Sequence, residues 1–445
     1  RRNSCGANRK NDFIMMKVFN EPSINEWASI LARPTIDAAQ LHDKVNAIIK
    51  EVVVGGDDAI KKLTLQFDGI SINELKVPVE KIAAAENLIS AALKTAIQLA
   101  KVNIEVFHNS QIQQVERIET MPGVWCWRKS VGIEKVGIYI PGGSAPLFST
   151  VLMLGVPAKM AGCKEIILCT PPNEQGEINP AILYAASLVG VTAIYSVGGA
   201  QAIAAMAYGT ATIPKVHKIF GPGNQYVTAA KQLVQQNGMA IDMPAGPSEV
   251  CVWADENAIP SFVAADLLSQ AEHGPDSQVI LVANHKAIVD AIQLEIDLQL
   301  ITLPRKDIAV KALANSKAII LSNQDQAIDL INAYAPEHLI LAIDNALQIA
   351  DKIINAGSVF IGNYSPESVG DYASGTNHTL PTNGYAKAYS GVSLDSFVKK
   401  ITFQQLTERG LMNIAPTVIE MAEAEGLQAH SNAVSVRLNL IKSKL

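Results

Sequence analysis

The feature that most constrains the fold is an alternation of short apolar runs with helical stretches across residues 136–362. Runs such as VGIYI, EIILCT, EVCVWA and QVILVA are rich in β-branched residues, and the segments between them are long enough for crossover helices. Strands that are apolar on both faces and separated by helices are typical of parallel sheets buried on both sides. The alternation therefore predicts an α/β protein.

The alternation falls into two blocks, 136–245 and 246–362, and segments rich in proline and glycine mark them. Two similar blocks predict two incomplete Rossmann-like domains, doubly wound and mainly parallel, with a cleft between them. Ligands of such sheets bind outside the carboxyl ends of the strands, where these segments fall. Helical patterns before and after the blocks predict helical N-terminal and C-terminal extensions.

The 445 residues divide into five segments on this pattern. Residues 1–15 have no apolar stretch of the secretory type, and we expect them to lie upstream of a natural start near Met15 or Met16. The remaining segments are a helical arm at 16–35, a first Rossmann-like domain at 36–135 plus 246–390, a second at 136–245, and a C-terminal helical domain at 391–445.

Composition excludes several classes of partner. A hydrophobic content of 49% supplies a large core, and a net charge of −6 without a basic stripe argues against nucleic acid. No apolar run approaches the roughly 20 residues that cross a bilayer, so we expect no membrane partner. Five cysteines, an odd number without a CxxC pair, indicate no disulfide framework and a cytoplasmic location.

Two glycine-rich segments follow predicted strands in the first block. IPGGSAP follows VGIYI, and VGGAQAIAAMAYG follows TAIYS. Backbone N–H groups in such loops can bind phosphate. Neither segment is GxGxxG and the chain has no GxxxxGK, so each alone is equally well explained as a turn. Two in one block favour a mononucleotide or dinucleotide.

A polar stripe ends the predicted helix before the strand QVILVA. Asp266, Gln270 and His273 lie on one helix face, which is usually just a solvated face. An amide oxygen and an imidazole at this spacing could also bind one metal ion. Other candidates lie in loops or at helix ends, namely Glu337, His338, Asp371, His378 and His430.

Two of these candidates carry further chemical interpretations. Glu337 and His338 place a possible water-activating carboxylate beside a possible proton carrier, although an isolated pair is more simply a polar strand entry. His430 precedes Ser431-Asn432, a predicted N-cap, and the positive end of a helix favours the neutral ring that a metal requires. An exposed linker histidine is equally compatible with that position.

Taken together, these segments resemble the histidinol dehydrogenase family. The resemblance covers the chain from about Trp27 to the C-terminus and rests on long motifs: VGIYIPGGSAPLFSTVLML, VGGAQAIAA, KIFGPGN, IDMPAGPSEV, DLLSQAEHGPDSQ, YAPEHL and GSVFIGNYSPESVGDYASGTNHTLPT. It implies a zinc-dependent, NAD-linked oxidation of L-histidinol through L-histidinaldehyde to L-histidine, the last steps of histidine biosynthesis.

The resemblance also implies roles for individual residues. Glu337 and His338 match the catalytic pair: His338 would take the hydroxyl proton, and Glu337 would activate water to attack the aldehyde. The implied zinc ligands are Gln270, His273, Asp371 and His430. The substrate is expected to contact these four ligands together with Ser248, His338 and Glu425.

The NAD contacts implied by the resemblance are Tyr139, Gln201 and Asn224, all in or beside the glycine-rich segments. The family is also an intertwined homodimer, in which the C-terminal segment, here with Glu425 and His430, completes the partner's site. The zinc and catalytic residues would lie in the first Rossmann-like domain and the NAD side in the second.

Three alternatives remain open from the residues themselves. A zinc hydrolase acting on a small amino compound would use Glu337 as a base without NAD. A non-catalytic protein that binds cationic amines would need no acid–base pair. An aldehyde could also be oxidised through a cysteine thiohemiacetal, but none of the five cysteines lies in the segment with the catalytic pair.

Overall fold

The computed structural model describes residues 16–34, 38–142, 146–244 and 246–444. Its strands are β1 (Lys17–Asn20), β2 (Arg117–Met121), β3 (Val124–Gly132), β4 (Lys135–Tyr139), β5 (Glu165–Thr170), β6 (Ala193–Ser196), β7 (Lys218–Phe220), β8 (Ala240–Ile241), β9 (Glu249–Ala254), β10 (Gln278–Ala283), β11 (Lys317–Ile320), β12 (His338–Ala342), β13 (Ser358–Ile361) and β14 (Val398–Leu406).

The α-helices alternate with most of these strands. They are α1 (Ile24–Ile30), α2 (Ala38–Asp68), α3 (Val79–Ala84), α4 (Ala91–Asn109), α5 (Phe148–Met160), α6 (Pro180–Val189), α7 (Gly199–Tyr208), α8 (Gln225–Gln236), α9 (Pro260–Ala271), α10 (Lys286–Leu300), α11 (Lys306–Ala314), α12 (Gln324–Tyr334), α13 (Ala346–Ala350), α14 (Glu367–Tyr372), α15 (Glu408–Ala424) and α16 (Gln428–Lys444). None of the helices in the described residues is both long and apolar enough to cross a bilayer.

Eleven of these strands form two parallel sheets with the same winding, and β14, β3 and β2 form a small antiparallel sheet. The five-stranded sheet has the order β6-β5-β4-β7-β8, and the six-stranded sheet has the order β1-β11-β10-β9-β12-β13. Numbered within each block, both orders are 3-2-1-4-5, which is a doubly wound Rossmann order without its sixth strand. The predicted fold, two incomplete Rossmann-like sheets, is therefore confirmed.

Alternate side chains of one strand enter different cores, which explains the continuously apolar runs. In β9, Val250 and Val252 lie in a cluster on one face of the sheet, while Cys251 and Trp253 lie in a cluster on the other. Every residue of β9 and β10 is buried. A strand with period-two geometry must be apolar throughout when helices cover both faces.

The helices between residues 38 and 109 pack on the five-stranded sheet, although the sequence analysis grouped residues 36–135 with 246–390. α2 packs against α7 and α8, and α4 packs against α5. Val45 of α2 shares a buried cluster with Ile167 and Ile203, for example. Helical periodicity defines which face is buried, but it does not identify the sheet that covers that face.

Two strands lie in segments that were expected to be helical. β1 lies in the predicted arm 16–35 and adds to the six-stranded sheet by pairing in parallel with β11. β14 lies in the predicted helical domain 391–445 and pairs antiparallel with β3. Both strands obtain their hydrogen bonds from residues that are remote in sequence, so local periodicity does not reveal them.

Candidate active site

The predicted catalytic pair lies where β12 begins. His338 is the first residue of β12, which runs parallel to β9, and β9 begins at Glu249. Helix α9 ends beside them, because a crossover helix returns the chain to the amino edge of the sheet. This centre therefore lies at the amino ends of the strands in the six-stranded sheet, whereas we expected ligands at the carboxyl ends.

The peptide groups of Glu249 hold the pair in place. The Glu249 N–H donates to Oε2 of Glu337 at 2.8 Å, and the Glu249 carbonyl oxygen lies 3.2 Å from Nδ1 of His338. Glu337 and His338 are both buried, at 7% and 3% exposure. Their facing atoms, Glu337 Oε2 and His338 Nδ1, are 3.6 Å apart. A carboxylate and an imidazole are thus fixed side by side away from bulk water.

Gln270 explains why α9 ends in polar residues. Its amide Nε2 donates to the Glu249 carbonyl oxygen at 3.1 Å and lies 2.9 Å from Nδ1 of His338. The side chain is 1% exposed, so it faces the site and not solvent. His273 follows the helix end, is exposed, and its N–H donates to the Gln270 carbonyl oxygen.

Asp371 of α14 approaches from the opposite side of the His338 ring. Its Oδ1 lies 3.4 Å from Nε2 of His338, and both atoms are buried without a hydrogen-bond partner. Unsatisfied buried polar atoms are costly and mark positions where a ligand or water belongs. Asp371 and His338 therefore both have unused polar atoms at the same place in the buried centre.

Charges around this position shift several pKa values. Burial alone would lower the pKa of His338, but the negative charges of Glu337 and Asp371 raise it well above its usual value. Burial would likewise raise the pKa of Asp371, which His338, His378 and His273 instead lower. A cation bound by Asp371 would oppose this shift and lower the pKa of His338, which favours the neutral ring that can accept a proton.

Two further residues belong to this cluster. Glu367 is 1% exposed, accepts a hydrogen bond from Ser269 Oγ at 2.6 Å, and burial raises its pKa to about 8. Nδ1 of His378 lies 2.7 Å from the Asp371 carbonyl oxygen. The sequence marked His378 as a candidate, but the resemblance gives it no role. Glu367 was missed because a lone acid near a helix start looks like an ordinary dipole contact.

His378 also connects the two sheets. Its Nε2 lies 2.9 Å from the hydroxyl oxygen of Thr150, in the first turn of α5. Asn377 donates to the Met153 carbonyl oxygen of the same helix at 2.6 Å. Because α5 follows β4, the carboxyl edge of the five-stranded sheet adjoins the amino edge of the six-stranded sheet at the site.

The residues expected to bind NAD lie at that carboxyl edge. Tyr139 ends β4 and accepts a hydrogen bond from the Gly199 N–H at 3.0 Å, Gln201 is buried in the first turn of α7, and Asn224 caps α8. The loop before Asn224 requires glycine at Gly221, whose φ is +125° and whose added Cβ would overlap the Tyr139 carbonyl oxygen. The start of α8 is exposed at Asn224 and Gln225, and a helix N-terminus suits an anionic group.

The remaining predicted residues are divided between two regions. Ser248 is half-buried and immediately precedes Glu249, beside the centre. Glu425 and His430 lie exposed at the turn between α15 and α16, and in the described part of the chain neither side chain has a hydrogen-bond partner. α16 begins at Gln428, so His430 lies in its first turn and the predicted cap at Ser431-Asn432 is wrong.

The described residues contain no cluster of three His, Cys, Asp or Glu side chains able to hold a metal ion. Of the residues in the predicted zinc set, Gln270 is an amide and His430 lies on the separate C-terminal hairpin. Among His, Cys, Asp and Glu side chains, one chain therefore supplies only His273 and Asp371 of the set beside Gln270. The unpartnered Oδ1 of Asp371 is a fitting donor, and the set lacks one ligand that a second chain could provide.

The fold and this centre together define a two-domain α/β enzyme with a buried acid–base pair where its sheets meet. A family model described as histidinol dehydrogenase matches residues 31–438. The chain is 60% identical to histidinol dehydrogenase of Bacteroides thetaiotaomicron, over 96% of this chain and 100% of the relative. It is 52% identical to that of Yersinia pestis, over 95% of each chain.

Solved structures agree with the sequence comparison. The crystal structure of histidinol dehydrogenase from Elizabethkingia anophelis superposes with a TM-score of 0.94 at 57% identity, and the match covers 96% of this chain and 99% of that one. The chain belongs to the histidinol dehydrogenase family.

Proposed function

We propose that this enzyme oxidises L-histidinol through L-histidinaldehyde to L-histidine with NAD and zinc, completing histidine biosynthesis in the cytoplasm. Membership of the family supports the substrate and the reaction. The observation that carries the catalytic assignment is the buried Glu337–His338 pair, which the Glu249 peptide groups orient beside Gln270 and Asp371.

In the first oxidation, the carbinol carbon gives a hydride to NAD while its hydroxyl proton passes to His338. The ring of His338 is held by Gln270 and faces Asp371, so the proton accepted at the site remains within a buried polar cluster. General-base positioning of this kind requires hydrogen-bond reach between the base and the reacting hydroxyl.

The second oxidation needs water, because hydride loss yields an acid only after water has added to the carbonyl carbon of the aldehyde. Glu337 removes a proton from a water molecule that adds to the carbonyl carbon, and the resulting hydrate gives its hydride to a second NAD. Glu337 is buried, so bulk water has little access to its carboxylate. The products are L-histidine and two NADH.

Zinc, when bound, supplies a Lewis-acid template that orients the amino alcohol. Gln270, His273 and Asp371 would hold it together with His430 of a second copy, and Ser248 and Glu425 would contact the substrate. We propose a homodimer on this basis, because His430 and Glu425 sit on a hairpin whose helices pack mainly on each other.

The test is the stoichiometry of the zinc-loaded enzyme with limiting L-histidinol and excess NAD. We expect about two NADH per histidinol and histidine as the product. Chelation should abolish NADH formation and added zinc should restore it, because the proposed zinc orients the amino alcohol. One NADH per histidinol, or none, would contradict the proposal, and the latter is what a hydrolase or an amine-binding protein would give.

A further inference from the structure

Beneath the catalytic pair lies a buried ion pair that neither the sequence motifs nor the proposed mechanism use. Nε of Arg33 donates to Oε1 of Glu249 at 2.5 Å, and Nη2 of Arg33 donates to Oε2 of Glu249 at 2.8 Å. The side chain of Arg33 is 16% exposed and that of Glu249 is 2% exposed. Bidentate pairing fixes a carboxylate in both position and orientation, which a single point charge does not.

Both members of this pair have further anchors. The same nitrogen of Arg33 donates to the Tyr334 carbonyl oxygen at 2.8 Å, and its guanidinium carbon lies 4.1 Å from the centre of the Tyr334 ring. Oε1 of Glu249 also accepts the Asn383 N–H at 2.8 Å. Arg33 therefore joins the segment after α1 to the end of α12 and to the start of β9.

The consequence lies in the main chain of Glu249. Its N–H is the donor to Glu337, and its carbonyl oxygen contacts both Gln270 and His338. A shift of the Glu249 side chain would move peptide groups that touch the proposed base, the proposed proton acceptor and a proposed metal ligand. Displacements of about 1 Å at such positions can cost roughly 100-fold in rate.

We propose that Arg33 is a positioning residue for catalysis: by clamping the Glu249 carboxylate it fixes the peptide groups that orient Glu337 and His338. Arg33 acts through Glu249 and touches none of the reacting groups. This inference rests on the proposed role of Glu337 in the aldehyde step.

The first test is Arg33→Lys in the zinc-loaded enzyme, with L-histidinaldehyde and NAD as substrates. Lysine keeps the charge but loses the bidentate geometry, so we expect kcat to fall about 10-fold or more while KM for NAD changes less than about twofold. Tyr334→Phe is the matched control. It removes the hydroxyl donation to Gln278 in the same cluster and leaves both bonds to Glu249, so kcat should stay within about threefold of wild type.

A double-mutant cycle separates positioning from loss of structure. If Arg33 acts through the Glu337 carboxylate, Arg33→Lys should cost less than about threefold in a Glu337→Gln background. Guanidinium ion added to Arg33→Ala should restore part of kcat, because it can reoccupy the partly open site beside Glu249. The role of Arg33 would be overturned if Arg33→Lys lowered kcat by the same factor in the wild-type and Glu337→Gln backgrounds. It would also be overturned if Arg33→Lys lowered kcat no more than Tyr334→Phe does.

The same cycle distinguishes failure of the inference from failure of the proposed function. If the Glu337→Gln enzyme oxidises the aldehyde at the wild-type rate, Glu337 does not have its assigned role, and this inference loses its basis. If Glu337→Gln slows the aldehyde step while Arg33→Lys leaves kcat unchanged, only the role of Arg33 is wrong.

Discussion

At the scale of single residues, three buried thiols are poorly suited to the cysteine route for the aldehyde. Cys163, Cys169 and Cys251 are buried, and burial raises all three thiol pKa values, that of Cys163 to about 11. A nucleophilic cysteine needs its thiolate form near neutral pH. These three residues therefore lack the environment for forming a thiohemiacetal with the aldehyde.

Alanine at Cys163, Cys169 or Cys251 should leave aldehyde oxidation within about threefold of wild type, because none of the three is expected to attack the substrate. The measurement is NADH formation from L-histidinaldehyde, with thermal unfolding as the control for packing. A loss of several orders of magnitude in one variant that remains folded would restore the cysteine route.

Glu337→Gln should slow the aldehyde step more than the alcohol step. Glutamine keeps the hydrogen bond from the Glu249 N–H but cannot remove a proton from water, so we expect about a 100-fold or larger loss in the second oxidation. Single-turnover measurements that start from each substrate separate the two steps. Equal losses in both would contradict the assigned role.

The sequence indicated most of the polar residues of this centre, but not the contacts between them. Gln270 and His338 are 68 positions apart, and Arg33 and Glu249 are 216 apart. Their proximity follows from the parallel order of β9 and β12 and from the docking of the N-terminal segment. Neither is encoded in local periodicity, so the ion pair under the site became visible only in the fold.

At the scale of elements, a buried pair supports the loop that carries Asn224. Lys231 of α8 pairs with Asp242 after β8; their side chains are 5% and 1% exposed. Lys231 Nζ donates to the Gly221 carbonyl oxygen at 2.9 Å, and the Gly221 N–H donates to Asp242 at 2.8 Å. The pair holds both main-chain polar groups of one glycine residue, Gly221.

Lys231→Met should lower the free energy of unfolding by roughly 3–5 kcal/mol, because it leaves Asp242 as an unpaired buried charge. KM for NAD should also rise, since the Gly221 loop precedes the proposed NAD contact. Denaturant unfolding and steady-state kinetics measure the two effects. Lys286→Met, which breaks an exposed pair with Asp290, is the control and should cost less than about 0.5 kcal/mol.

The elements themselves were predicted well where burial was complete. The doubly buried strands β4, β5, β9 and β10 were recognisable as continuous apolar runs. β1 and β14 were not recognisable, because neither strand is a buried apolar run and each depends on a distant partner strand.

At the scale of the whole molecule, the two sheets contribute opposite edges to one centre. The five-stranded sheet supplies its carboxyl edge, as the general rule for nucleotide sites predicts. The six-stranded sheet supplies its amino edge, where Glu337, His338 and Glu249 begin their strands or precede them. The contact between Thr150 and His378 joins the two. Sequence patterns predicted the two sheets, but they did not predict which edges of the sheets lie against each other.

One part of the proposed centre lies outside this arrangement. His430 and Glu425 are exposed on the α15–α16 hairpin, and no side-chain hydrogen bond in the described residues links them to Asp371. The proposed zinc site is therefore complete only when Asp371 of one chain meets His430 of another.

The most direct test mixes two inactive variants, His430→Asn and Asp371→Asn, by joint refolding or co-expression with separate tags. Each variant alone should lose bound zinc and activity, because each lacks one ligand. A hybrid dimer with shared sites has one complete site, so random mixing should restore about a quarter of the wild-type NADH formation from histidinol. Hybrid dimers that are isolated intact and show no activity would contradict the shared site.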